Sequence, residues 1–170
     1  MDDDERQAAK LRAKAAKKHQ PESIKLLLVA QTPPESLERY FYFESVTEQD
    51  ALFRYVTKLI LGKEPTRENK AQLLTELRND GVFLIDLKPN PRDSAVLGSF
   101  VPDLVARCKA LNPERIILIK VDVYDVAFHS LKREGLPVVD ERIPFPGTGQ
   151  QKNFETKFAD ALKRPSSQPT

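Results

Sequence analysis

Hydrophobic side chains fall into two patterns along this chain, short unbroken runs and helically spaced stripes, and the two alternate. Ile24 to Ala30 is apolar except at Lys25, Val82 to Ile85 is wholly apolar, and Ile116 to Ile119 repeats the feature. Continuous apolar runs of this length fit strands buried on both faces, as in parallel sheets. Leu136 to Val139 predicts a short fourth strand. Between the runs, Ala51, Leu52, Tyr55, Val56, Leu59 and Ile60 recur at helical spacing, from a polar start at Thr47–Asp50 to a stop at Gly62. A second helix is predicted from Thr66, with Leu73, Leu74 and Leu77 as its stripe and Asn79-Asp80-Gly81 as its stop. A third covers Ser94 to Leu111, where Pro102 either opens its second segment or kinks it. A fourth runs from Asp122 to Glu134 before Gly135, and the last carries Phe154, Phe158 and Leu162.

This order predicts an α/β protein, a three-layer α/β/α sandwich around a four-stranded parallel sheet, because parallel neighbours need crossover connections that pack back onto the sheet. The expected organisation is a charged N-terminal arm or helix over residues 1–20, one α/β domain over 21–163, and a Pro- and Ser-rich disordered tail over 164–170. The arm has acids first and bases behind them, which suits a helix macrodipole, but Leu11 is its only large apolar side chain apart from Met1. It reads as a solvated or frayed arm in preference to a basic arm on a phosphate backbone. His19 at its end has no partner within reach of the sequence.

With 170 residues there is room for one domain with a sizeable core. A net charge of +2 and a pI near 8.6 neither demonstrate nor oppose nucleic-acid binding. A lone cysteine, Cys108, excludes an internal disulfide framework and any zinc or iron–sulfur site built on several cysteines, and reads as a packing residue. No apolar run reaches membrane-spanning length, and the N-terminus is charged where a signal peptide needs an apolar core, so a cytoplasmic protein without a membrane partner is expected.

Candidate chemistry gathers at strand ends. In open α/β sheets ligands bind beyond the carboxyl ends of strands, and here Gln31-Thr32-Pro33-Pro34 follows the first run, Asp86 the second, and Ile143-Pro144-Phe145-Pro146-Gly147-Thr148-Gly149 the fourth. Tyr40-Phe41-Tyr42-Phe43 puts four rings in succession into a chain that is 8% aromatic, and these divide evenly between base stacking and core filling. Phe43 is the favoured site member. Asp86 either accepts hydrogen bonds from an exocyclic amino group or caps nearby loop amides. Gly147, Thr148 and Gly149 either bring backbone amides against a phosphate or form an ordinary turn. Lys88, Arg92 and Lys152 are the cations near these loops. Asp125 and His129 share a helix face without a third ligand nearby, so a surface pair is preferred to a metal site.

The stretch from Ile24 to Leu162 resembles the uracil-DNA glycosylase superfamily. Ala30-Gln31-Thr32-Pro33-Pro34 sits where that family has Gly-Gln-Asp-Pro-Tyr or Gly-Glu-Ala-Pro-Gly, and Gln31 and Pro33 match. Asp86 stands where the second strand commonly ends in a base-reading Asn, and Ile143-Pro144-Phe145-Pro146 falls at His-Pro-Ser-Pro, keeping the prolines and losing the His and Ser. Phe43 resembles the aromatic residue that stacks on an extruded base. The resemblance implies a DNA-repair fold acting on a flipped nucleotide, with DNA or a nucleotide as partner and no cofactor or metal, working as a monomer. Both chemical handles of the family are replaced, since Thr32 carries no charge and Ile143 donates no hydrogen bond. Glu35, three residues on, is an alternative carboxylate, although a turn-capping or solvated role suits it better. Thr32, Glu35 and Asp86 are therefore the candidate catalytic residues, and Gln31, Pro33, Phe43, Phe145, Gly147, Thr148 and Gly149 the candidate ligand contacts. Two readings follow: a binding protein for a nucleobase, nucleotide or single strand that has lost catalysis, or a divergent glycosylase or nucleoside hydrolase.

Overall fold

Three of the apolar runs become parallel strands, β1 (Leu26–Ala30), β2 (Val82–Asp86) and β3 (Arg115–Leu118), in the order β2-β1-β3. The structure, a computed structural model, describes residues 1–165, so most of the expected disordered tail lies outside the described residues. Leu26 pairs with Val82 on one side and Arg115 on the other, and Ala30 reaches Asp86. All five residues of β1 are buried, and because alternate side chains point to opposite faces, both faces of the sheet are covered.

The expected fourth strand does not form, and among the described residues the sheet has three strands. Pairing survives only at isolated parallel bridges, Ile116 to Val138 and Ile119 to Ile143. Pro137 and Pro144 bring no N–H to a ladder, and the N–H groups of Val138 and Glu141 turn back to the carbonyls of Leu136 and Val139, at 2.8 and 3.1 Å. The segment still lies beside β3, so Phe145 leaves from the same edge as Asp86.

The crossovers are helical. α1 (Asp3–Lys18) precedes the sheet, α2 (Ala51–Val56) and α3 (Lys70–Asn79) connect β1 to β2, and α4 (Val101–Leu111) connects β2 to β3. α5 (Val121–Arg133) and α6 (Gln151–Lys163) follow. Asp50 caps α2 by accepting from the Phe53 N–H at 2.9 Å, and a π-helical turn over Thr57–Leu61 continues the helix to Gly62 at φ 67°. α3 starts four residues later than its pattern predicts, because Thr66 and Asn69 exchange side-chain hydrogen bonds with each other's N–H and hold a turn there. Pro102 occupies the first turn of α4 and opens it, preceded by a 3-10 turn at Leu97–Phe100.

The N-terminal arm is helical and docked. Leu11 points outward, 40% exposed, while Arg12 is buried at 7% and donates to the carbonyls of Pro34 and Glu35 at 3.1 and 3.3 Å. A guanidinium, absent from any apolar stripe, thus ties α1 to the loop after β1. His19 is also buried, stacked on Tyr42 and 3.3 Å from Glu44, with burial holding its pKa below the ordinary value.

The aromatic cluster seals the outer edge of the sheet. β2 is an edge strand, and the Tyr42 hydroxyl takes the place of a neighbouring strand at Leu84, donating to its carbonyl at 2.7 Å and accepting from its N–H at 2.6 Å. Phe41 packs edge-on against Phe53 of α2. Lys70 of α3 is fully buried over the Phe53 ring and donates to the Tyr40 carbonyl at 2.7 Å. Burial draws its pKa down to about 8, with Asp50 opposing the fall.

Candidate functional site

At the carboxyl edge of the sheet the exit loops enclose a cleft of about 170 Å³. Its apolar wall comprises Ala30, Pro33, Pro34, Tyr40, Phe41, Leu52, Leu84 and Phe145, and its polar groups belong to Gln31, Thr32, Asp50, Asp86 and Lys120. Drug-sized ligands occupy roughly 300–1,000 Å³, so this cleft has the scale of a single heterocycle.

The exit of each strand brings polar residues to this cleft. Gln31 and Thr32 leave β1, and their Oε1 and Oγ1 atoms are buried with no hydrogen-bond partner among the described residues. The loop they begin is rigid, since Pro33 and Pro34 fix its φ angles and the Leu87 and Lys88 N–H groups donate to the carbonyls of Ala30 and Gln31, both at 2.8 Å. Asp86 ends β2. Its main-chain carbonyl accepts from Arg107 of α4 at 2.9 Å, while no hydrogen bond or ion pair reaches its carboxyl group among the described residues.

The electrostatics single out Asp86. Part of its surface faces the cleft, yet it lies deep in the protein, and that burial raises its pKa from 3.8 to about 7. The nearby charge of Asp50 pushes the same way, and Arg107 and Arg12 pull against it without restoring an ordinary value. Burial raises the Asp50 carboxyl as well, opposed by its capping bond to Phe53 and by Lys70. The Tyr40 hydroxyl is pushed up by burial and by Asp86. A carboxyl group near neutrality in an aromatic-walled cleft accepts hydrogen bonds when ionised and donates one when protonated, and either form is accessible at pH 7.

Lys120 ends the third apolar run. Its backbone sits at φ 86° and ψ 131°, a left-handed conformation costing a non-glycine residue on the order of 1–3 kcal/mol. Both sides hold it there: its N–H donates to Ile143 at 2.9 Å, and its carbonyl accepts from Val123 and Tyr124 at the start of α5. Only Ile119 and Lys120 therefore separate the strand from the helix. Its position follows the rule that selected Gln31 and Asp86, the first polar residue after a buried run, so the sequence carried the signal.

The structure gathers Gln31, Thr32, Pro33, Asp86 and Phe145 in one cleft and leaves the other candidates elsewhere. Phe43 does not line it. The Phe43 N–H donates to the Tyr40 carbonyl in a tight turn, which lays Phe43 edge-on to Tyr40 at 4.9 Å and leaves Tyr40 and Phe41 to form the aromatic wall. Glu35 is exposed and pairs with Arg92 at 3.1 Å beside α1. Gly147, Thr148 and Gly149 form the turn into α6, beyond the cleft lining; the Gly147 N–H is already bonded to the Phe145 carbonyl at 2.8 Å. Lys88 ends on the carbonyls of Pro91 and Asp93. Asp125 makes a two-pronged pair with Arg142, and His129 packs on Phe128, so the two do not pair with each other. Cys108 is buried, which raises its thiol to about 11.

A larger chamber of about 380 Å³ lies under α1 and shares Asp86, Tyr40, Pro33 and Leu84 with the cleft. The guanidiniums that reach it, Arg12 and Arg107, both end on loop carbonyls and clamp the exits of β1 and β2 from two sides. Among the described residues no helix is long and apolar enough to cross a membrane, and no group of three or more His, Cys, Asp or Glu side chains is placed to hold a metal ion. Comparison with known proteins finds no matching family model, no matching curated protein and no matching solved structure.

Proposed function

We propose that this cleft binds a nucleobase, carried by a nucleotide or a single-stranded nucleic acid, and that the chain is a divergent relative of the uracil-DNA glycosylases that keeps the binding site without the family's catalytic handles. The observation that carries the reading is the unpartnered carboxyl group of Asp86 on an aromatic-walled cleft of one-heterocycle size. Aromatic walls favour a planar ring, with stacking worth roughly 1–3 kcal/mol per base, and a carboxyl group set among them reads the ring's edge. The loop order supports the family relation, since Gln31 and Pro33, Asp86 and Phe145 meet at one sheet edge as the motif resemblance requires. At the place of the family's histidine, Ile143 is wholly buried beside Ile119. Titration of mononucleotides and fluorescently labelled single strands at low salt tests the reading. Weak binding that declines with added salt and is reduced by Lys120→Ala is expected; no binding of either probe refutes it.

A second reading is favoured by one specific property of Asp86. A carboxyl group that titrates near pH 7 is poised for general acid–base work, so hydrolysis of an N-glycosidic bond would assign it protonation of the leaving base, with Thr32 holding the water. Base release that is lost in Asp86→Asn, with nucleotide binding retained, supports this reading; a wild type that releases no base from DNA carrying deaminated or alkylated bases rejects it.

A further inference from the structure

The polar groups of the cleft are unbalanced. Asp86 offers two carboxylate oxygens, Gln31 an amide oxygen and Thr32 a hydroxyl, and none of these has a hydrogen-bond partner among the described residues. A ligand that brings further acceptors would set lone pairs against the Asp86 carboxylate and the Gln31 amide oxygen, whereas one that brings donors satisfies them, and the Thr32 hydroxyl serves as either acceptor or donor. Uracil and thymine offer one N–H between two carbonyl oxygens, so any two-point approach to a carboxylate sets oxygen against oxygen. Adenine and cytosine place an amino group beside an unprotonated ring nitrogen, which repels the second oxygen. Guanine places a ring N–H beside an exocyclic amino group, matching both oxygens of a carboxylate, and has a carbonyl oxygen further along the same edge.

Resting on the nucleobase reading above, we infer that the cleft is selective for guanine, with the carboxylate of Asp86 accepting from the ring N–H and the exocyclic amino group. Lys120 is the only cation among the described residues lining the cleft, so it complements the guanine carbonyl oxygen or an attached phosphate. The groups that face Asp86 come from every side of it: Asp50 at the start of α2, Tyr40 from the aromatic loop, Arg107 on α4 and Arg12 on α1. Two acceptor oxygens require the ionised form, so guanine binding tightens as pH rises from about 6 to about 8, because Asp86 loses its proton over that interval.

The test is calorimetric titration of the intact chain with guanosine, inosine, adenosine, cytidine and uridine monophosphates at about pH 8. Inosine monophosphate differs from guanosine monophosphate only in lacking the exocyclic amino group, and it is expected to bind about tenfold or more weakly. Asp86→Asn, which replaces one acceptor by a donor, is expected to erase that difference; should the variant not fold, the wild-type series and its pH dependence decide the matter. Equal affinity for guanosine and inosine monophosphates, uridine monophosphate binding as tightly as guanosine monophosphate, or a guanine preference that persists in Asp86→Asn overturns the inference and leaves the nucleobase reading standing. If no nucleotide binds, both fall together.

Discussion

Replacing Asp86 by Asn is expected to stabilise the protein above neutral pH, although it removes the group on which the proposed function depends. The folded protein holds this carboxyl at about 7 against an ordinary 3.8, chiefly because its charged form is buried away from water. At about 1.4 kcal/mol per pKa unit, that difference corresponds to roughly 4 kcal/mol, an upper figure because local opening admits water. The sign follows from proton counts. Between pH 3.8 and about 7 the folded state keeps the proton that the unfolded chain has lost, so this residue's contribution to stability is greatest below 3.8, declines through the interval and is flat above about 7. Asn has nearly the same shape and no charge, so the variant lacks this decline. Urea denaturation of both proteins from about pH 4 to about pH 9 isolates the effect, since acid unfolding driven by other carboxylates cancels in the difference. The variant should gain about 2–4 kcal/mol relative to wild type between the ends of the range. A stability difference that does not change with pH would refute the claim that Asp86 is perturbed.

Tyr42→Phe removes a hydroxyl that satisfies both main-chain groups of Leu84 on the outer edge of β2, and a loss of about 3 kcal/mol is expected in thermal or urea unfolding. A loss below about 1 kcal/mol would mean that the edge is satisfied some other way. Lys120→Gly relieves a left-handed backbone and is expected to raise stability by about 1 kcal/mol while weakening nucleotide binding; lower stability with unchanged binding would remove Lys120 from the site. Little or no release of uracil from single- or double-stranded DNA is expected, because Thr32 supplies no negative charge and Ile143 no hydrogen bond. Robust metal-independent release would contradict this, and Glu35→Gln and Asp86→Asn would then separate the two candidate carboxylates.

The parts of the fold that were legible in the sequence are those governed by burial alone. Three apolar runs, the first broken only at Lys25, announced β1, β2 and β3, and strand-end logic led to Thr32, Asp86 and Phe145, which line one cleft. What escaped depends on interactions that leave no apolar pattern. The Leu136–Val139 run has strand composition, but Pro137 within it cannot donate to a ladder, so a single bridge, Ile116 to Val138, stands where a strand was expected. Arg12, Lys70 and His19 are polar residues whose burial rests on distant partners, Pro34 and Glu35, Tyr40, and Tyr42 with Glu44. Tyr40 and Phe41 line the cleft and Phe43 does not, because a turn, unlike a strand, does not alternate its side chains between two faces. Lys120 follows its apolar run as Asp86 follows its own, a signal of the same kind.

The most direct test of the proposed function is an amide-resolved NMR titration of the labelled protein with guanosine, adenosine, cytidine and uridine monophosphates in turn, which reports binding and its location together. The proposal requires shifts concentrated at Gln31, Thr32, Asp86, Lys120 and Phe145 that saturate with ligand, and the guanine preference adds that those from guanosine monophosphate weaken as pH falls below about 7. An unchanged spectrum at about 1 mM nucleotide, or shifts confined to other surfaces such as the turn at Gly147–Gly149, would contradict it.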